Sequence, residues 1–184
     1  MNSMDQQWLK RIPNNIGWYI SGFADGEGSF NISLKKDSDY VTKWHIEPSF
    51  NISQRDISVL ALCKRYFGVG TIRQRRDGVY YYEVRNYRAL RERIIPFFER
   101  YQLLSATKKR NFRIFRAIVV HMSNSSHLRS DGLQVILKLR ERLNEGRGRK
   151  RKYSLNDYLD SQTKSSETIR QTQPQFGKTG AGMI

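Results

Sequence analysis

The chain has 184 residues, enough for one domain with a sizeable core, and its 33 Lys and Arg against 17 Asp and Glu give a formal charge of +16. That excess calls for a polyanionic partner, nucleic acid first, although an ordinary basic protein of ribosomal type shows the same balance. One cysteine, Cys63, excludes a disulfide framework and a cysteine-rich zinc site, and without a long apolar run or a secretory-type start the expected setting is intracellular: a bacterial or archaeal cytoplasm, or an organelle.

In chain order, Ile16, Tyr19, Ile20, Phe23 and Ala24 recur at the spacing of a core-facing helix, with Asn14 or Asn15 available as N-cap after Pro13. Gly22 and Gly26 lie four apart on another strip. Each costs a helix about 1 kcal/mol relative to alanine, a cost that close approach of a second backbone would offset. Glu27 then ends the helix, where the dipole disfavours a carboxylate, and a bound cation explains that placement better than stability does.

Two copies of the pentapeptide SFNIS follow, at 29–33 and 49–53. Both alternate in the manner of half-buried strands, so Phe30, Ile32, Leu34, Phe50 and Ile52 are expected in the core. Asn31, Ser33, Lys35, Glu47, Ser49, Asn51 and Ser53 are left for the other face. The repetition reads as a constraint shared by two neighbouring strands, not as a duplication. Residues 56–67 read as a helix, with Ile57, Leu60, Ala61, Lys64 and Phe67 at helical spacing, Cys63 on an apolar face and Gly68 closing it.

Residues 70–85 form a second hairpin about Asp77 and Gly78, with Arg73 and Arg75 on one face. Helices are predicted over 87–100, interrupted near Pro96, and over 106–122 and 131–145. A basic linker, 146–152, leads to short helices within 153–170 and to a tail, 171–184, of disordered composition. The expected division is therefore a domain at 1–145 and a partly disordered extension at 146–184.

Two helix–strand–strand segments predict an α+β domain with a four-stranded antiparallel sheet, helices on one face and a bare polar face on the other. Such a ribbon can enter the major groove and read bases, arginine pairing with guanine and asparagine with adenine. The candidate contacts are Asn31, Ser33, Lys35, Asn51, Ser53, Arg73, Arg75 and Arg85. A solvated sheet face is the plain alternative, though Lys, Glu and Thr would then be more usual.

Ile20, Gly22, Phe23, Asp25, Gly26, Glu27 and Gly28 fill every constrained position of the signature of the LAGLIDADG homing endonucleases. The chain resembles that family over roughly residues 16–120, in the order helix, two strands, helix, two strands, helix. The resemblance implies an αββαββα domain that hydrolyses phosphodiesters of double-stranded DNA at a long near-palindromic target and is encoded in a mobile intron. A single motif copy implies a homodimer whose motif helices pack through Gly22 and Gly26.

By the same resemblance Glu27 binds the metal, with the Gly26 carbonyl adding an oxygen; Mg²⁺ is the expected ion and Mn²⁺ can substitute. Asp25 is either a helper at the site or a hydrogen-bond acceptor for the motif backbone. Gln54 matches a position that organises water near the metal, or else caps a strand end. Four residues on, where some relatives carry a base, stands Ser58, so either Arg55 substitutes or that contribution is missing. Lys108 resembles the family's active-site lysine, with Lys109 as the competing assignment.

Two other readings remain open at this level. One is a maturase that binds intron RNA without cutting DNA; the other is a DNA-binding regulator. His45, His121 and His127 show no metal-ligand spacing and read as non-catalytic.

Overall fold

The computed structural model describes residues 7–145 and 151–171. After one turn, α1 (Gln7–Lys10), the motif segment forms α2 (Asn14–Glu27). Its buried stripe is Gly17, Ile20, Ser21 and Ala24, so the expected line is rotated: Tyr19 is 51% exposed. Tyr101 is the reason. A Cβ at Gly17 would stand 2.2 Å from its ring, its hydroxyl donates to the Ile12 carbonyl at 3.2 Å, and Ser21 Oγ donates to its carbonyl at 2.8 Å. The N-cap is Pro13 rather than Asn14 or Asn15, with no side-chain cap. Asn14 instead accepts from Arg100 and Tyr101, at 3.4 Å each.

At its other end α2 passes into β1 (Gly28–Lys36) without a loop. The Gly28 N–H closes the helix on the Ala24 carbonyl. A Cβ there would lie 2.5 Å from that oxygen, so only glycine lets the chain turn from helix to strand so abruptly.

β1, β2 (Trp44–Gln54), β3 (Thr71–Gln74) and β4 (Tyr80–Val84) form one sheet in the order β1-β2-β4-β3, antiparallel throughout. The two pentapeptides face each other, with Ser29 opposite Asn51, Phe30 opposite Phe50 and Asn31 opposite Ser49. Their likeness is thus a fact of register. The second hairpin turns where expected, with Gly78 at φ +81° donating to the Arg75 carbonyl at 3.1 Å.

One face of the sheet is covered by helices. In α3 (Ile57–Phe67) Leu60, Cys63 and Phe67 are buried as expected, while Ile57, Ala61 and Lys64, expected in the same stripe, are exposed. Burial pushes the Cys63 thiol up to about 12, so it is an inert core residue. Pro96 does not break its helix. Between α4 (Tyr87–Ala89) and α5 (Ile95–Arg100) the turn Leu90–Ile94 widens to π form, with the Ile95 N–H reaching back to Leu90; the wider turn makes room for the proline ring. Phe30 meets Phe50, Phe98, Phe112 and Phe115 at centroid distances of 5.1 to 5.7 Å.

α6 (Ala106–Ser123) and α7 (Ser130–Glu141) complete the layer. α7 stops four residues short of the expected 145, and Asn144, at φ +55°, turns its side chain to the Phe30 carbonyl at 2.8 Å.

The short helices expected over 153–170 are one helix, α8 (Leu155–Gln171). Tyr158 is 1% exposed and donates to the Ser130 carbonyl at 3.1 Å. Trp44 packs against Tyr153 and Tyr158 at 5.2 and 6.3 Å and bonds Ser161 Oγ at 2.9 Å. The segment from Tyr153 to Ser161 is thus packed on the core of the first 145 residues. The basic stretch 146–150 and the tail 172–184 lie outside the described residues. No helix among the described residues is long and apolar enough to cross a membrane.

Tyr158→Ala should cost about 3 kcal/mol in chemical denaturation, the value of a lost buried aromatic. An unchanged midpoint would show that α8 is an independent tail.

Candidate active site and nucleic-acid interface

Gly28 stands opposite Ile52, so the end of α2 and the end of β2 come out at the same end of the sheet. Glu27 and Gln54 therefore share that end, and α6 begins there too. Asp25 makes the junction. Its carboxylate accepts from Leu104 N at 3.1 Å, Ser105 N at 2.9 Å and Ser105 Oγ at 2.7 Å, so it holds the start of α6 rather than its own motif backbone. Burial raises the Asp25 pKa, but the bonds from Ser105 and Leu104, and then the charge of Lys108, outweigh it; the carboxyl titrates below its usual range.

Lys108 lies one turn into α6 and donates from Nζ to the Gly28 carbonyl. Burial pulls its ammonium below the usual lysine range against the opposing charges of Asp25 and Glu27. Lys109 is exposed. Of the two lysines, it is Lys108 that the fold brings to the acids. Gln54 Oε1 accepts from Arg55 N at 2.7 Å, capping the strand end, while Arg55 is exposed and Ser58 N is taken by Asp56 at 2.8 Å.

Along the outer edge of β1 lie two residues that the sequence reading missed. The Gly28, Phe30 and Ile32 carbonyls face outward from β1, and they receive Lys108 Nζ, Asn144 Nδ2 at 2.8 Å and Arg140 Nε at 2.9 Å. Arg140 is 3% exposed. Its signal was its place in the apolar stripe of Leu133, Ile136 and Leu137.

The uncovered face of the sheet carries the polar residues in cross-strand rows. Ser29, Asn51, Glu83 and Thr71 form one row, and Ser53, Tyr81 and Arg73 another. Asn31 donates to Ser29 Oγ at 3.0 Å and Ser33 to the Glu47 carbonyl at 3.3 Å. Lys35 pairs with Glu47 at 3.0 Å. Arg85 reaches Glu83 at 2.7 Å and Glu47 at 3.7 Å. The Arg75 guanidinium lies 4.9 Å over the Tyr81 ring, and the Tyr81 hydroxyl donates to Glu83 at 3.2 Å. Burial, and then Glu83, push that hydroxyl up to about 12, so it stays a donor. Tyr81 and Glu83 were not foreseen; their alternation with Tyr80, Tyr82 and Val84 placed them on this face.

The profile described as LAGLIDADG endonuclease matches residues 20–119. The chain belongs to the LAGLIDADG endonuclease family. A probable intron-encoded endonuclease 2 of Neurospora crassa is 35% identical over 132 residues, 70% of this chain and 29% of that protein. The homing endonuclease I-ApeII of Aeropyrum pernix is 30% identical over 146 residues, 77% of this chain and 86% of that protein. The chain thus spans under a third of the one relative and most of the other. Among solved structures, the archaeal intron-encoded homing endonuclease I-Vdi141I, complexed with DNA, superposes with a TM-score of 0.75 at 33% identity, covering 82% of this chain and 96% of that one.

The LAGLIDADG helix, α2, turns a strip away from the other described residues. Among the described residues nothing lies within 4 Å of a Cβ built at Gly22 or Gly26, so packing among those residues does not account for them. Trp18 and Tyr19 beside them are 50% and 51% exposed. Glu27 is exposed as well, and the Gly26 carbonyl falls among the last four of the helix, which lack intrahelical partners. No group of three or more His, Cys, Asp or Glu able to hold a metal occurs among the described residues. One carboxylate and one carbonyl, open to water and phosphate, suit Mg²⁺ or Mn²⁺ and not zinc. His45 stacks on Tyr40 at 4.8 Å and His127 lies beside Tyr87 at 6.1 Å, neither in contact with the motif.

Asp25→Asn tests the junction. Because the folded carboxyl titrates below its unfolded value, its contribution is complete above about pH 4 and is lost as pH falls through the folded pKa. The variant should lose about 1–2 kcal/mol at neutral pH, a charged hydrogen bond discounted for solvent, and show a flatter acid limb in urea titrations. Equal acid limbs would refute the clamp.

Proposed function

We propose that this chain is a homodimeric, divalent-metal-dependent, site-specific DNA endonuclease. The observation that carries the reading is the convergence of Glu27, Gln54 and Lys108 at one end of an open, basic sheet face. The family profile and the DNA-bound likeness of I-Vdi141I support it. The polar face would lie in the major groove, with Asn31, Ser33, Lys35, Asn51, Ser53, Arg73, Arg75 and Arg85 toward the bases and phosphates.

Glu27 and the Gly26 carbonyl would hold Mg²⁺ or Mn²⁺, an ion that supplies charge neutralisation and water activation for phosphodiester hydrolysis. Glu27 positions the scissile phosphate at the end of the sheet. Lys108, anchored on Gly28, brings a fixed positive charge to the phosphate and, with its pKa below the usual lysine range, can pass a proton more readily than a solvated lysine. Gln54 orders water from the β2 side.

The open strip of Gly22 and Gly26, flanked by Trp18 and Tyr19, would pack on its copy in a second subunit. Two Glu27 carboxylates then flank one two-fold axis, and the target is near-palindromic. The intron-encoded relatives point to an intron-borne gene and to a target at its own insertion site. An intact Glu27 with Lys108 beside it favours cutting over an RNA-binding maturase, which needs neither.

Glu27→Gln should lower cleavage of the intron insertion site by orders of magnitude while metal-free DNA binding survives. Cleavage at the wild-type rate would remove Glu27 from the mechanism. Lys108→Met should slow cutting more than Lys109→Met does. Gly22→Leu should turn a sedimenting dimer into monomer by holding the helix backbones apart; a wild type that sediments as monomer, free and on DNA, refutes the dimer.

A further inference from the structure

The basic face of a DNA-binding sheet has little apparent use for acids, yet Glu47 and Glu83 sit near its middle. Neither hangs loose. The Glu83 side chain is 10% exposed and that of Glu47 23% exposed, both less than the cations they hold. Glu83 receives Arg85 Nε at 2.7 Å on one oxygen and the Tyr81 hydroxyl at 3.2 Å on the other. Glu47 holds Lys35 at 3.0 Å and stands 3.7 Å from the second arm of Arg85. Tyr81 carries the Arg75 guanidinium 4.9 Å over its ring. One connected chain of alternating charge therefore crosses the sheet through Lys35, Glu47, Arg85, Glu83, Tyr81 and Arg75.

We propose that Glu83 and Glu47 are specificity-determining positioning residues: they fix the guanidinium of Arg85, and through Tyr81 that of Arg75, in the pose that reads guanine. A free arginine on a flat strand face samples many rotamers and favours phosphate wherever it lies. Bidentate reading of guanine needs the planar fork in one orientation, and ordering it in advance removes that entropy from the binding step. Arg85 is 53% exposed despite its two acidic neighbours, so its outer nitrogens remain available to a base. The acids also weaken attraction to phosphate in general. They lower non-specific affinity and raise discrimination, because repulsion acts on every phosphate while the ordered fork still meets its base.

The inference rests on the sheet being the DNA-reading surface. The test uses the full-length protein without divalent metal and a duplex selected by it from a random library. Binding is then measured for every single base-pair change. Arg85→Ala identifies the pair that Arg85 reads, by a loss of at least about fivefold discrimination there. Glu83→Gln, nearly isosteric, is expected to reduce discrimination at that same pair to within about twofold, leave distant pairs unchanged, and bind random duplex several-fold more tightly. Glu47→Gln should act on the same pair more weakly, being the more distant partner of Arg85. A general loss of structure would weaken all duplexes together and could not raise non-specific affinity.

Full discrimination in Glu83→Gln overturns the proposal. So does a lost cytosine preference at a neighbouring pair that Arg85→Ala leaves intact, since Glu83 would then touch a base itself. If Arg73→Ala and Arg85→Ala both leave every pair unaffected, the sheet is not the reading surface and the inference falls with that reading.

Discussion

Two residues at the end of α2, Asp25 and Gly28, set the geometry on which the rest of the molecule depends. Gly28 closes the helix with its N–H on Ala24 and receives Lys108 on its carbonyl, while Asp25 holds the backbone of Leu104 and Ser105. Helix α2, strand β1 and helix α6 are thereby joined within a few ångströms, without an intervening loop between α2 and β1. A site built on element ends locked in this way keeps its side chains placed without depending on a mobile segment.

The same join solves a problem of the sheet. β1 is an edge strand in the order β1-β2-β4-β3, and an exposed edge invites pairing with another chain. Here the outward carbonyls of Gly28, Phe30 and Ile32 are met by Lys108, Asn144 and Arg140, so the edge is covered by side chains from the helical layer. Burying the Arg140 guanidinium is costly, and the Ile32 and Tyr153 carbonyls, both at 2.9 Å, offset that cost. In doing so Arg140 ties the segment after residue 150 to the first strand.

Local pattern carried the sheet, the register and the motif's place, because period-two alternation and a glycine-rich helix end are written within a few residues. It failed where the deciding partner is remote. The buried stripe of α2 turns toward Gly17 because Tyr101, 84 positions away, occupies the space of the missing Cβ. In α3 it placed Leu60, Cys63 and Phe67 correctly but drew Ile57, Ala61 and Lys64 into the same stripe, because the contacts of Phe67 with Phe50 and Phe97, at 6.1 and 4.8 Å, that fix the inward side are remote. Pro96 reads as a break in any window, yet a five-residue π turn that ends two residues before it absorbs the ring. At the candidate site, Glu27 stood out from its place at a helix C-terminus, whereas Gln54 and Lys108 could be named in advance only through the family resemblance; the meeting of the three at one sheet end needed the register of Gly28 with Ile52.

The two acids of the motif show how spacing divides labour. Asp25 and Glu27 are two apart on a helix, so they point to different sides and do not face each other. Asp25 faces the start of α6, where backbone N–H groups and a positive helix end favour a charge and hold it in place. Glu27 faces outward at the negative end of α2, where no such groups satisfy it and the dipole opposes it. The helix end therefore satisfies one acid and leaves the next exposed and unsatisfied, which is the arrangement the proposed cation site requires.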